Sequence, residues 1–165
     1  GSSCQLIGMK LSERKLRRSA EHVYYEISMF DFTTRESDNN LNYTNEMATL
    51  ESWCIHLRNL LDFFYTPSGK RYRDNILAED YVLDLRQFKQ RRTKGKKFRF
   101  IKKRVAKQIA HLTYHRNIYN KKTKPWHRQD IYAELKPTIV AFYESLPKHR
   151  KKWFYFIKLK KIIDA

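Results

Sequence analysis

Four residues near the middle of the chain carry the types and spacing that chemistry on a phosphodiester needs. They are Arg104, Gln108, His111 and His115. Placed on a helix, they recur at i, i+4, i+7 and i+11 and share one stripe. Arg104 and His111 then point the same way, about two turns or roughly 10 Å apart along the axis. A guanidinium stays charged and grips phosphate through its planar fork. An imidazole titrates near neutral pH and can take or give a proton. Cleaving RNA without a metal needs a base for the 2′-hydroxyl, an acid for the 5′-oxygen and positive charge on the phosphorane. Arg104 would hold the phosphate, His111 would move the proton, and Gln108 and His115 would assist. One histidine supplies one proton-transfer group, so two copies facing each other across a dyad would supply the pair. The plain alternative is a structural histidine beside a solvated arginine. Arg17 and His22 meet the same loose spacing elsewhere in the chain.

Two other groupings could carry chemistry. His111 and His115 form an i, i+4 pair of the kind that binds metals, with Asp62 or Glu26 as candidate third ligands. No Glu-x-x-His motif accompanies them, and neither metal nor cofactor is assigned. Arg58 and Asp62, also at i, i+4, read as a helix-face ion pair, with Asp62 orienting His111 as the alternative.

The helix that would position the stripe is expected over about Lys97 to Tyr119. Ile101, Val105, Ile109 and Leu112 form its apolar face. Leading into it is a basic run from Arg86 to Arg104. Arg86, Arg91, Arg92, Lys94, Lys96, Lys97, Arg99, Lys102 and Lys103, with Lys107 beyond, are the candidate nucleic-acid contacts. Gly95 inside the run predicts a loop or a frayed end.

Other helices must pack against that one. The first is expected from about Ser12, its N-cap, to Phe32, with Leu16, Ala20, Val23, Ile27 and Phe30 at 4-3-4-3 spacing. The polar stretch from Thr33 to Asn42 reads as a loop. A second helix should run from Thr44 or Asn45 to Phe64, burying Met47, Leu50, Cys54, Leu57, Leu61 and Phe64, with Trp53 and Leu60 widening the face. Pro67 and Gly69 punctuate its end. A shorter helix is expected over Asn75 to Phe88. Asn120 to Trp126 reads as a polar connector. A fifth helix is expected from Arg128 to Leu146, kinked or broken by Pro137. The tail from Lys148 to Ala165 alternates cations with Trp153, Phe154, Tyr155 and Phe156. Such aromatics can stack on unpaired bases, but packing on the bundle or at a dimer interface is the stronger reading.

Composition agrees with one folded domain. The 165 residues include only four glycines and four prolines, and 41% are hydrophobic. An all-α helical bundle of four to six helices follows, over residues 9–147, with 148–165 as a basic, aromatic tail. Residues 1–8, ahead of Met9, read as a cloning remnant. That leaves Cys54 as the one native cysteine, which fits a reducing cytoplasm. Neither a secretory signal nor a membrane-spanning segment is expected. The net charge of +18 calls for an extended anion as partner. Nucleic acid comes first and an anionic membrane surface second, with a merely basic protein as the bland alternative.

The basic helical bundle with a late Arg-x6-His helix, Arg104 with Ala110–His111, resembles the HEPN superfamily. The resemblance spans roughly Leu16 to Leu146, with its specific match at those three residues. It implies a small, commonly dimeric α-bundle and a metal-independent endoribonuclease of toxin–antitoxin or phage-defence type, with RNA as substrate and an antitoxin protein or RNA as a further partner. The residue after the arginine is commonly polar in that family and is Val105 here. Some members are catalytically silent binding modules, and that alternative stays open.

Overall fold

The computed structural model describes residues 11–36, 42–72, 74–107, 126–154 and 156–165. The chain is an all-α helical bundle, with no strand among the described residues. Its helices are α1 (Glu13–Arg35), α2 (Tyr43–Tyr65), α3 (Leu85–Arg91), α4 (Arg99–Val105), α5 (Arg128–Glu144), α6 (Lys148–Lys151) and α7 (Phe156–Asp164).

α1 starts where its cap predicts. The Ser12 hydroxyl accepts from the Lys15 N–H at 3.2 Å, satisfying one of the orphan donors of the first turn. Leu16, Ala20, Val23, Ile27 and Phe30 are all buried. The helix runs on through Thr33 and Thr34, which the sequence suggested as loop. Both hydroxyls donate back to carbonyls of the preceding turn, Thr33 to Met29 and Thr34 to Phe30, each at 2.7 Å. α2 is capped by Asn42, whose side chain accepts from Asn45 N–H at 3.0 Å. It lies antiparallel to α1. Later residues of one meet earlier residues of the other: His56 Nδ1 is 2.7 Å from Glu26 Oε2, and Trp53 Nε1 donates to Thr34 Oγ1 at 2.9 Å.

The span from Asn75 to Phe88 is not one helix, which corrects the sequence reading. It forms a single tight turn at Ala78–Asp80 and then α3. Two aspartates divide it. Asp80 accepts from Leu77 N–H at 2.9 Å, and Asp84 caps α3 by accepting from Gln87 N–H at 2.9 Å. Leu83 N–H donates to the Ser145 carbonyl at 3.0 Å, a tertiary bond that a continuous helix would forbid. Pro137 does not break α5, which runs unbroken through it. Thr93 Oγ1 donates to the Glu134 carbonyl at 2.7 Å, tying α5 to the segment after α3.

The tail is helical, through α6 and α7, and its apolar residues join the core. Phe154 and Leu159 are fully buried. Phe154 meets the rings of Tyr81 and Phe142 edge-on, with centroids 5.3 and 5.5 Å away. Phe142 is the hub of this cluster, touching Phe63, Phe64 and Phe88 as well. Arg150 fastens the tail to the bundle, donating to the Asp80 and Tyr81 carbonyls at 3.0 and 2.8 Å and pairing with Glu13. Trp153 is half-buried against the core, so packing holds the described aromatics of this segment.

Cys54, on α2, is fully buried in the core, and burial pushes its thiol up to about 12. Thiolate is the reactive form, so the folded protein should leave Cys54 unmodified by iodoacetamide at pH 8. Peptide mapping after alkylation, with and without guanidinium, checks this. Labelling of the Cys54 peptide at equal rates in both would contradict the burial.

Candidate nucleic-acid interface

Of the stripe that opened the sequence reading, Arg104 is described, while Gln108, His111 and His115 lie outside the described residues. The expected central helix starts at Arg99 rather than Lys97, since Lys97 and Phe98 belong to a tight turn, and it is described as α4 with Ala106 and Lys107 beyond it; residues 108–119 lie outside the described residues. Val105 is buried and Ile101 packs on the core, as the apolar stripe requires. The guanidinium of Arg104 lies 3.9 Å from the centre of the Trp126 ring. Trp126 in turn meets Trp53 edge-on at 5.9 Å. Stacking of this kind fixes a guanidinium by its face.

The basic run is held by a few neutral contacts rather than by a long helix. α3 ends at Arg92. There the guanidinium donates to the Phe64 carbonyl at the end of α2 and lies over the rings of Tyr65 and Phe88, at 4.9 and 5.3 Å. Burial pulls the pKa of Arg92 down, since the charged form loses solvation. Thr93 N–H donates to Thr138 Oγ1 at 3.1 Å, and the same oxygen is 2.8 Å from the Tyr65 hydroxyl. The chain then makes a tight turn over Gly95–Phe98. Gly95 is packed directly on the Tyr65 ring: a Cβ there would stand 2.9 Å from Tyr65 Cδ1. Phe98 is buried beside the same ring, with centroids 5.5 Å apart.

This arrangement sorts the cations. Lys89 pairs with Glu79 and Lys97 with Glu134, each at 2.8 Å; Arg91 pairs with Glu144 and Lys102 with Asp62. Arg86, Lys94, Lys96, Arg99 and Lys103 are exposed and have no carboxylate partner among the described residues. Lys107 is half-buried at the end of the described segment. The expected Arg58–Asp62 pair is absent. Asp62 turns to Lys102 on the neighbouring α4, and Arg58 is exposed. Glu26, a candidate metal ligand, is taken by His56. Among the described residues no cluster of His, Cys, Asp or Glu is arranged to hold a metal ion.

Between the end of α2, the Gly95 turn and the start of α4 lies a pocket of about 410 Å³. Lys70, Arg92, Arg99 and Lys102 line it together with Tyr65 and Phe98, and no carboxylate among the described residues does. Lys70 and Tyr65 escaped the sequence reading. The available signal was Gly95, the one glycine inside the run, whose small size marks a close approach. A Gly95→Ala substitution should therefore destabilise the fold by about 1–3 kcal/mol through overpacking. A thermal melt should drop by several degrees; an unchanged melt would mean that the Tyr65 ring moves aside freely.

Comparison with known protein families, curated protein sequences and solved structures returned no match.

Proposed function

We propose that this protein binds RNA through the face built by residues 86–104. The observation that carries the reading is the division of charge within that run: Arg86, Lys94, Lys96, Arg99 and Lys103 have no carboxylate partner among the described residues, on a protein whose net charge is +18. Unneutralised cations clustered on one segment cost stability through mutual repulsion, and a polyanion offsets that cost by releasing its counterions. No helix among the described residues is long and apolar enough to cross a membrane. A free buried thiol fits a reducing compartment such as the cytoplasm. Filter binding of single-stranded RNA at rising salt tests the reading. Affinity should fall steeply and linearly on logarithmic axes.

One observation favours a second, catalytic step on the same partner. Arg104 is held over Trp126 at the rim of the core, and a guanidinium fixed by its face is ordered before any phosphate arrives. With His111 as the proton-transfer group, as the resemblance to HEPN proteins implies, the protein would cleave RNA without a metal, and a homodimer would supply the second histidine. Incubation with total RNA in EDTA decides between cleavage and binding alone. His111→Ala should abolish cleavage and leave the melting temperature and RNA affinity in place. Arg104→Ala should weaken both binding and turnover, since it loses ground-state and transition-state contacts together. A His111→Ala protein that still cuts RNA would end the catalytic reading.

A further inference from the structure

The pocket beside Tyr65 is more specific than a basic surface needs to be. A track for a phosphate backbone needs cations along an open groove that runs on past each unit. Here four cations surround a concavity whose walls include the apolar side chains of Leu61, Tyr65 and Phe98. Lys70, Arg92 and Arg99 have no carboxylate partner among the described residues, and Lys102 shares Asp62. The volume of about 410 Å³ falls within the roughly 300–1,000 Å³ of small-molecule sites, more room than an inorganic anion fills. The floor is rigid. The Tyr65 hydroxyl is tied to Thr138 Oγ1, Gly95 presses on the ring, and Arg92 is anchored on the Phe64 carbonyl. A fixed aromatic wall next to a cluster of cations matches a ligand with an anionic end and a flat, apolar body.

We propose that this pocket binds one nucleoside phosphate, with the phosphate held by Lys70 and Arg99 above Arg92 and the nucleoside lying along the Tyr65 wall. The inference rests on the RNA-binding reading for the nucleotide character of the ligand and deepens it: the basic run is a track, and the pocket is the seat for a single unit. Two sources share this chemistry, the phosphorylated end of an RNA strand and a free nucleotide. Lys70 and Arg99 are exposed, so replacing both by glutamine leaves the core contacts intact.

The test uses the full chain, a Lys70→Gln/Arg99→Gln variant, and a Lys148→Gln/Lys152→Gln variant that loses the same charge outside the pocket. Each is titrated calorimetrically with adenosine 5′-monophosphate, adenosine and inorganic phosphate. Each is also titrated with a 3′-fluorescein RNA bearing either a 5′-phosphate or a 5′-hydroxyl. Two charge-assisted contacts to one phosphate predict at least about a tenfold preference for the phosphorylated strand in the parent. That preference should vanish in the pocket variant and persist in the other. Binding of the monophosphate, lost in the pocket variant and accompanied by no strand preference, would assign the pocket to free nucleotides. Equal behaviour of the parent and the pocket variant toward both the monophosphate and the two strands would overturn the proposal. If salt-dependent RNA binding persisted in that case, the wider RNA-binding reading would stand without it. Monophosphate binding in a protein that ignores RNA would instead sink the wider reading and leave the pocket.

Discussion

Replacing Phe142 by alanine should cost about 3–5 kcal/mol, the range for truncating a fully buried phenylalanine. Phe142 is fully buried at the meeting point of α2, α3, α5 and the tail, with five aromatic rings around it. Those rings cannot all collapse into the space, because they are held on four separate parts of the chain: α2 (Phe63 and Phe64), the turn before α3 (Tyr81), α3 (Phe88) and the tail (Phe154). The residual cavity therefore adds to the lost transfer free energy. Folded domains are stable by only about 5–15 kcal/mol, so one substitution would remove a large share. Urea unfolding followed by circular dichroism measures it. A loss below about 1 kcal/mol would mean that the tail and α5 are not joined through this cluster.

The second large effect is on binding. Reversing charge at Lys96, Arg99 and Lys103 to glutamate should lower affinity for single-stranded RNA by about a hundredfold or more. Each reversal removes one phosphate contact and adds a repulsive charge, and contacts of this type are each worth on the order of 1 kcal/mol. The choice of residues comes from the fold. Lys97 and Lys102 sit in the same run but are already paired with Glu134 and Asp62, so reversing them disturbs the protein's own ion pairs. Reversal at Lys97 and Lys102 alone should therefore reduce affinity less than reversal at Lys96 and Lys103. Fluorescence anisotropy with one RNA and both variant pairs checks the order.

Periodicity made the two long N-terminal helices readable. The 4-3-4-3 spacing from Leu16 to Phe30 and the Ser12 cap are local, and both appear in α1 as expected. The segment from Asn75 to Phe88 misled because Ile76, Leu77, Tyr81, Val82, Leu85 and Phe88 are apolar at near-helical intervals, yet Asp80 and Asp84 satisfy local N–H groups better than a continuous helix would. Pro137 does not interrupt α5, although its missing N–H made a break one of the two expectations. At the site, the sequence displayed the charge of residues 86–104 but could not tell which cations are neutralised. Glu134, Glu144 and Asp62 are remote in the chain and reach the run only through the packing of α2 and α5 on α4 and α3. Lys70 was invisible for the same reason. The residues read as proton-transfer groups, His111 and His115, lie outside the described residues.

The central claim is that the unneutralised cations of residues 86–104 bind the phosphates of RNA. The most direct test is the affinity of the full chain for a single-stranded RNA, measured from 50 to 300 mM salt. Each phosphate neutralised on a single strand contributes about −0.7 to the slope of log K against log salt. The five exposed cations with no carboxylate partner among the described residues predict a slope of about −3 or steeper, and replacing Lys96, Arg99 and Lys103 by glutamine should bring it about two units nearer to zero. A slope near zero in the parent, or the same slope in the parent and the triple variant, would contradict the claim.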